Sequence, residues 1–257
     1  MTRTVEDAAM LMRVIAGFDP KDPQTSRLPV PPYLDRLGDG LKGVRIGIIE
    51  QFMDQTSTNV EILKAVNVAA AQMGELGALV EPISLPILED LGSAAAMISE
   101  SDGATVHQNW LKSRPADYGQ NIRRRLLAAS LTPSIALQKA MRIRAILRKE
   151  WLSLFQKVDI LISPTSPSVA EEIAYVDGVN TREEANRRFG GGKSATFPAA
   201  MAGTPAMSIP CGFSSDKLPI GLQIMGSHFR EALVLRVGYK YEQNTTWHTR
   251  RPPEPSP

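Results

Sequence analysis

Residues 44–83 carry the pattern that most restricts the fold. Val44, Ile46, Ile48 and Ile49 form a short β-branched run, the composition of a buried strand. Behind it, Val60, Leu63, Val66, Ala70, Met73 and Leu76 recur at steps of three and four, which lines one face of a helix. Thr58 and Glu61 stand where a capping box opens that helix, Gly77 closes it, and Ala78 to Ile83 reads as a second strand. Two strands joined through a helix pair in parallel, and the crossover is right-handed. A purely helical bundle and an antiparallel sandwich are both excluded.

The chain opens on a helix capped by Thr4, with Val5, Ala8, Ala9, Leu11, Met12 and Ile15 as its apolar positions and Gly17 as its stop. Its cap lies so close to Met1 that nothing ahead of it sets its position. Residues 18–41 are rich in Pro, Asp and Gly and read as a long surface loop. Residues 93–155 read as helical; the last of these helices starts near Thr132-Pro133 and turns Ala136, Ala140, Ile143, Leu147, Trp151 and Leu154 to one side. Val158 to Ile162 is a third strand, ending in Ser163-Pro164-Thr165-Ser166-Pro167. Polar residues 170–193 form a loop. Ala206 to Pro210 and Pro219 to Met225 form an antiparallel hairpin with Asp216 and Lys217 in its turn, and a helix from about Arg230 to Gln243 follows. The expected architecture is α/β, a mixed β-sheet flanked by helices in α/β/α layers. It occupies one domain over residues 1–250, with a Pro-rich tail at 251–257.

Charge and composition exclude several function classes. Lys and Arg number 29 against 27 acids, a formal charge of +2, which gives no single-sign field for nucleic acid. No apolar stretch approaches the roughly 18 residues of a membrane helix. The first residues lack the apolar core of a secretory signal. One cysteine excludes a disulfide framework. The expectation is a soluble, cytoplasmic chain with no nucleic-acid and no membrane partner.

Local motifs supply no complete catalytic set. His107, His228 and His248 lack metal-ligand spacing, so no metal is expected. Cys211 ends a strand and reads as a small buried hydrophobe rather than a nucleophile. Gly190 to Ser194 looks like the end of a phosphate loop, but Arg187 stands where that pattern needs glycine, and no buried strand precedes it. Ser214 and Lys217 have Ser-x-x-Lys spacing, yet they fall in the hairpin turn and not on one helix face. Arg123, Arg124 and Arg125 read as a solvated helix face, in which one guanidinium can turn inward to hold a carboxylate or amide oxygen. No cofactor is implied.

Several stretches together resemble the amidase signature family. They are Met1 to Ala9, Ala16 to Pro23, Asp159 to Pro167, Phe197 to Phe213 with its Ala-Gly-Thr-Pro core, Leu218 to Gly226, and Tyr241-Glu242-Gln243 with Trp247-His248. They follow one another in family order from the first residue to the last few, so the resemblance covers the whole chain.

The resemblance implies hydrolysis or transfer of amide nitrogen by a Ser–cis-Ser–Lys triad. A neutral Lys takes a proton through the middle Ser from the nucleophilic Ser, and backbone N–H groups of a Gly/Ser-rich loop hold the oxyanion. In the family this machinery precedes the segment found here at residues 2–4, and no Gly-Gly-Ser-Ser-Gly-Gly-Ser stretch occurs in the sequence. The implied identity is a C-terminal portion with an incomplete fold and with the triad upstream of Met1. Such a chain is expected to be inactive alone, and to expose an apolar groove where the absent strands pack. Its substrate is a small-molecule amide once the N-terminal portion is supplied, by a complementing partner if need be; a homodimer is the other association.

Two substrate-binding candidates follow from the resemblance. Thr165 lies in the strand-to-loop segment near the family's substrate cleft. Arg125 matches by register an Arg that holds glutamine in the amidotransferase A-subunit. Lys193 falls where that protein has an Asp, a charge reversal that repels a glutamine ammonium and favours a general amidase over an amidotransferase A-subunit-like protein. From a different class, the alternative is a non-catalytic remnant or binding scaffold.

Overall fold

The structure is a computed structural model and describes residues 1–171 and 195–251. Five strands make one sheet: β1 (Arg45–Ile49), β2 (Leu79–Ile83), β3 (Ile160–Pro164), β4 (Ala206–Phe213) and β5 (Pro219–Gly226), in the order β2-β1-β3-β5-β4. β1 runs parallel to both β2 and β3, while β5 is antiparallel to β3 and to β4. The sheet is therefore mixed, parallel on one side and antiparallel on the other.

Helices cover both faces. On the first lie α1 (Val5–Ile15), α2 (Val60–Glu75) and the helix near the C-terminus, Glu231–Gln243. On the second lie α3 (Leu91–Ser113), α5 (Ser134–Leu154) and α6 (Phe197–Ala202), with α4 (Gln120–Ala129) packed on α3. Helix Glu231–Gln243 is α7 below. Strand alternation sorts the side chains between the two cores: Ile160, Ile162, Leu222 and Ile224 enter the first, Leu161 and Met225 the second. All six are buried, each contributing about 1.5–3 kcal/mol of burial. Trp151 anchors the second core, its indole N–H donating to Thr204 Oγ1 at 3.1 Å.

The βαβ unit forms with one correction at its helix start. The cap of α2 is Asn59, whose Oδ1 accepts from Glu61 N at 2.8 Å. Thr58 and Glu61 do not make a capping box, because both side chains have long-range partners. The Thr58 hydroxyl donates to Phe52 O and the Glu61 carboxylate accepts from Ser215 N. The buried face of α2 is also rotated from the expected stripe: Val60 is exposed, while Ile62 and Ala69 are buried.

Two further expectations are corrected by packing. The segment 18–41 is not surface throughout, since Tyr33, Leu37 and Leu41 sink into the first core. In α1 only Val5 and Ala9 are buried, and Leu11 and Ile15 stay exposed. Thr4 does cap α1, its Oγ1 accepting from Asp7 N at 3.1 Å. The far end of the chain sets the position of this helix: Glu242 Oε2 accepts from Val5 N at 3.0 Å, and Arg3 donates to Arg250 O at 2.6 Å.

Candidate functional site

In sheets with parallel strands, ligands bind beyond the carboxyl ends of those strands. Here β3 ends at Pro164, and the chain turns away through Thr165. Thr165 N–H donates to Gly221 O at 2.9 Å, which holds the turn against β5. The Thr165 hydroxyl lies 2.7 Å from the Ser208 hydroxyl of β4. Gly221 makes this contact possible: a Cβ there would stand 2.8 Å from Thr165 Oγ1 and 3.0 Å from Ser208 Oγ. Further along, Pro167 O accepts from Asn59 N at 3.0 Å, tying the loop to the start of α2.

These ties frame a cavity of about 330 Å3 lined by Ile62, Thr165, Ser166, Val169, Ile220 and Gly221, among others. Its walls are apolar, with hydroxyl groups at the rim. None of the described lining residues is titratable. The arrangement can seat a small polar group against an apolar wall, but its described lining holds no base to activate a hydroxyl.

The two substrate-binding candidates fall in different layers. Thr165 lines the cavity. Arg125 lies on α4, in the helical layer over the second face, and its guanidinium pairs with Glu100 of α3, with Nε 3.1 Å from Oε1. Lys193 and the glycines at 190–192 lie outside the described residues, as do residues 252–257 of the Pro-rich tail. The sequence motif already contained Ser208 and Gly221, but their part in the site depends on register. Thr165, Gly221 and Ser208 meet only because β5 sits between β3 and β4.

The remaining motifs resolve simply. Cys211 is buried in the first core, and burial pushes its thiol up to about 12, far from a thiolate at neutral pH. Ser214 and Lys217 close the hairpin turn: Ser214 N donates to Leu218 O, Lys217 N donates to Ser214 O, and Lys217 has φ 62. His107 Nδ1 lies 2.9 Å from the Tyr118 hydroxyl. Among the described residues, no group of three or more His, Cys, Asp or Glu is placed to hold a metal ion, and no helix is long and apolar enough to cross a membrane.

Comparison with known proteins fits this geometry to a family. Residues 1–235 match the amidase family. An amidase of Pseudomonas putida is 35% identical over 98% of this chain and 54% of its own length. The glutamyl-tRNA(Gln) amidotransferase A-subunit of Rippkaea orientalis is 34% identical over 98% of this chain and 55% of its own. The crystal structure of the corresponding A-subunit from Thermotoga maritima superposes with a TM-score of 0.76 at 27% identity, covering 95% of this chain and 52% of that one. The chain thus spans about half the length of the relatives it matches.

Proposed function

Because this chain belongs to the amidase family, we propose that it is the C-terminal portion of an enzyme that cleaves or transfers amide nitrogen by a Ser–cis-Ser–Lys mechanism. In this reading the catalytic residues lie in the portion of the family that the chain does not span. One observation carries it: the family match covers residues 1–235, yet the described lining of the cavity beside β3 is hydroxyls and apolar groups with no base. Thr165, at that cavity, contacts the substrate amide. Arg125 serves a more distant polar group of the substrate. Residues 1–250 act as one unit, with residues 251–257 as a tail.

The missing portion is supplied by a complementing polypeptide or by an upstream extension, and it covers the free edge of β4 and the exposed apolar face of α1. The substrate is a small amide, and the setting is cytoplasmic. The likeness to the amidotransferase A-subunit, at 34% identity, favours a second reading, in which the nitrogen released is passed on rather than lost to water. The test is hydrolysis of benzamide and of glutamine. The 257-residue chain alone is expected to turn over neither, and co-expression with the complementary portion of the family is expected to restore one of them. Turnover by the purified chain alone overturns the reading.

A further inference from the structure

A second cavity, of about 260 Å3, opens at the other end of the molecule from the Thr165 turn, where β5 passes into α7. It is lined by Pro31, Arg36, Phe229, Arg230, Leu233 and Arg236, together with Ala232. Three of these are arginines, and among the described residues the carboxylate that pairs with them is Asp39. Arg36 Nε lies 2.7 Å from Asp39 Oδ2, and Arg236 Nη1 lies 3.8 Å from the same oxygen. Two other acids stand nearby without lining the cavity. Asp159 feels the charge of Arg230 but is bound by Arg45, and Glu231 in the first turn of α7 adds to the effect of burial in pushing the Tyr33 hydroxyl up. The lining itself carries three cations and no acid, while Asp39, Asp159 and Glu231 stand beside it.

Further observations mark this as more than a solvated face. Arg236 is largely buried, and among the described residues its Nε–H, itself closed off from solvent, has no hydrogen-bond partner. Phe229 has φ 58, a left-handed conformation that a bulky side chain adopts only under strain. That strained turn, closed by Arg230 N donating to Ser227 O, holds the Phe229 ring out in solvent at 56% exposure at the cavity mouth. The 13-residue helix α7 begins at Glu231, immediately after Arg230, so its N-terminal dipole adds to the positive field.

We propose that this cavity binds a phosphate monoester whose organic part is flat, the phosphate held by Arg230 and Arg236 and the flat group laid on Phe229. Chemistry selects the ligand class. A phosphate monoester carries about −1.5 to −2 at neutral pH and so answers a lining of three arginines better than a carboxylate or a phosphodiester, each of which brings one charge. Guanidinium forks take phosphate oxygens in pairs. The site stands apart from the amidase reading, and nothing in that reading requires it.

Calorimetric titration of the 257-residue chain with phenyl phosphate, inorganic phosphate and benzoate tests the proposal. Phenyl phosphate is expected to bind with one-to-one saturation, more tightly than inorganic phosphate, and benzoate least. Arg236→Met and Arg230→Gln are each expected to weaken phenyl phosphate about tenfold or more, and Asp39→Asn to tighten it. The melting temperature of unliganded Arg236→Met should hold or rise, since the change removes an unsatisfied donor and keeps the apolar stem. The proposal is overturned if phenyl phosphate fails to saturate, if benzoate binds as well, or if the arginine variants bind like the parent. It is also overturned if Arg236→Met lowers the melting temperature and leaves binding unchanged, since Arg236 is then only a partner for Asp39.

Discussion

The two edges of the sheet end in opposite ways. On the β2 edge, the bond from Leu79 N to Val44 O sets which residues face β1, and it turns Val80 and Pro82 outward. Pro82 has no N–H to offer a further strand, and Glu81 beside it adds a charge on the exposed edge. On the β4 edge, the bond from Gly226 N to Pro205 O turns Ala206 and Ser208 outward. Both are small and exposed, with intact N–H groups, and no described strand pairs with them. Pro210 blocks this edge only further along, at the bulge before Gly212. A sheet that finishes at β2 is defended against further pairing, and one that finishes at β4 is not. In the proposed reading, the β4 side is where the rest of the enzyme would join.

Proline substitution gives the largest test of this contrast. Met207 N–H faces β5, so Met207→Pro removes a ladder bond and is expected to cost about 3 kcal/mol in urea unfolding. A cost near zero would mean that the register described for β4 is wrong. Gly221→Ala comes next. Its new Cβ presses on Thr165 Oγ1 and Ser208 Oγ, and a loss of about 1–3 kcal/mol is expected, with the Thr165 turn displaced.

The two halves should also differ in how they respond to pH. Asp159, where β1 meets β3, is held below its ordinary value of 3.8, chiefly by its hydrogen bond with Arg45 and against the opposing effect of burial. Its contribution to stability is present above pH 3.8 and is lost as pH falls through the lowered value. Glu242, which joins α7 to α1 beside β4, is raised above 4.5, chiefly by burial, with Asp7 and Glu6 adding to the rise and Val5 N–H and His248 opposing it. Its contribution is present below pH 4.5 and is lost as pH rises through the raised value. Melting temperature against pH should lose its acid-side slope in Asp159→Asn and its slope just above pH 4.5 in Glu242→Gln. Identical curves for Glu242→Gln and the parent would deny Glu242 this role. The smallest effect belongs to Ala206→Pro, whose lost N–H points away from β5 with no described strand beyond it: a change within about 0.5 kcal/mol is expected for the chain alone.

Much of this was legible before any coordinates. Strand, helix and strand over residues 44–83 follow from local periodicity, and so do the hairpin and the helical middle. Each rests on contacts between residues near in sequence, or on a face that any helix or strand must bury. The misreadings share one cause. Thr58 and Glu61 have the right spacing for a box, but Phe52 O and Ser215 N claim them, and the second lies 154 residues away. Tyr33 and Leu37 sit in a segment whose composition reads as loop, and the apolar core draws them in regardless.

The sequence by itself determined the layered α/β architecture, the family and the kind of chemistry to look for, because periodicity and motif order are properties of the chain. Only the tertiary structure decided which groups meet. Thr165, Gly221 and Ser208 converge through the order of three strands, Glu242 holds the start of α1 across 237 residues, and Arg36, Arg230 and Arg236 gather around one cavity. Such meetings are set by strand order and register, which no local pattern encodes.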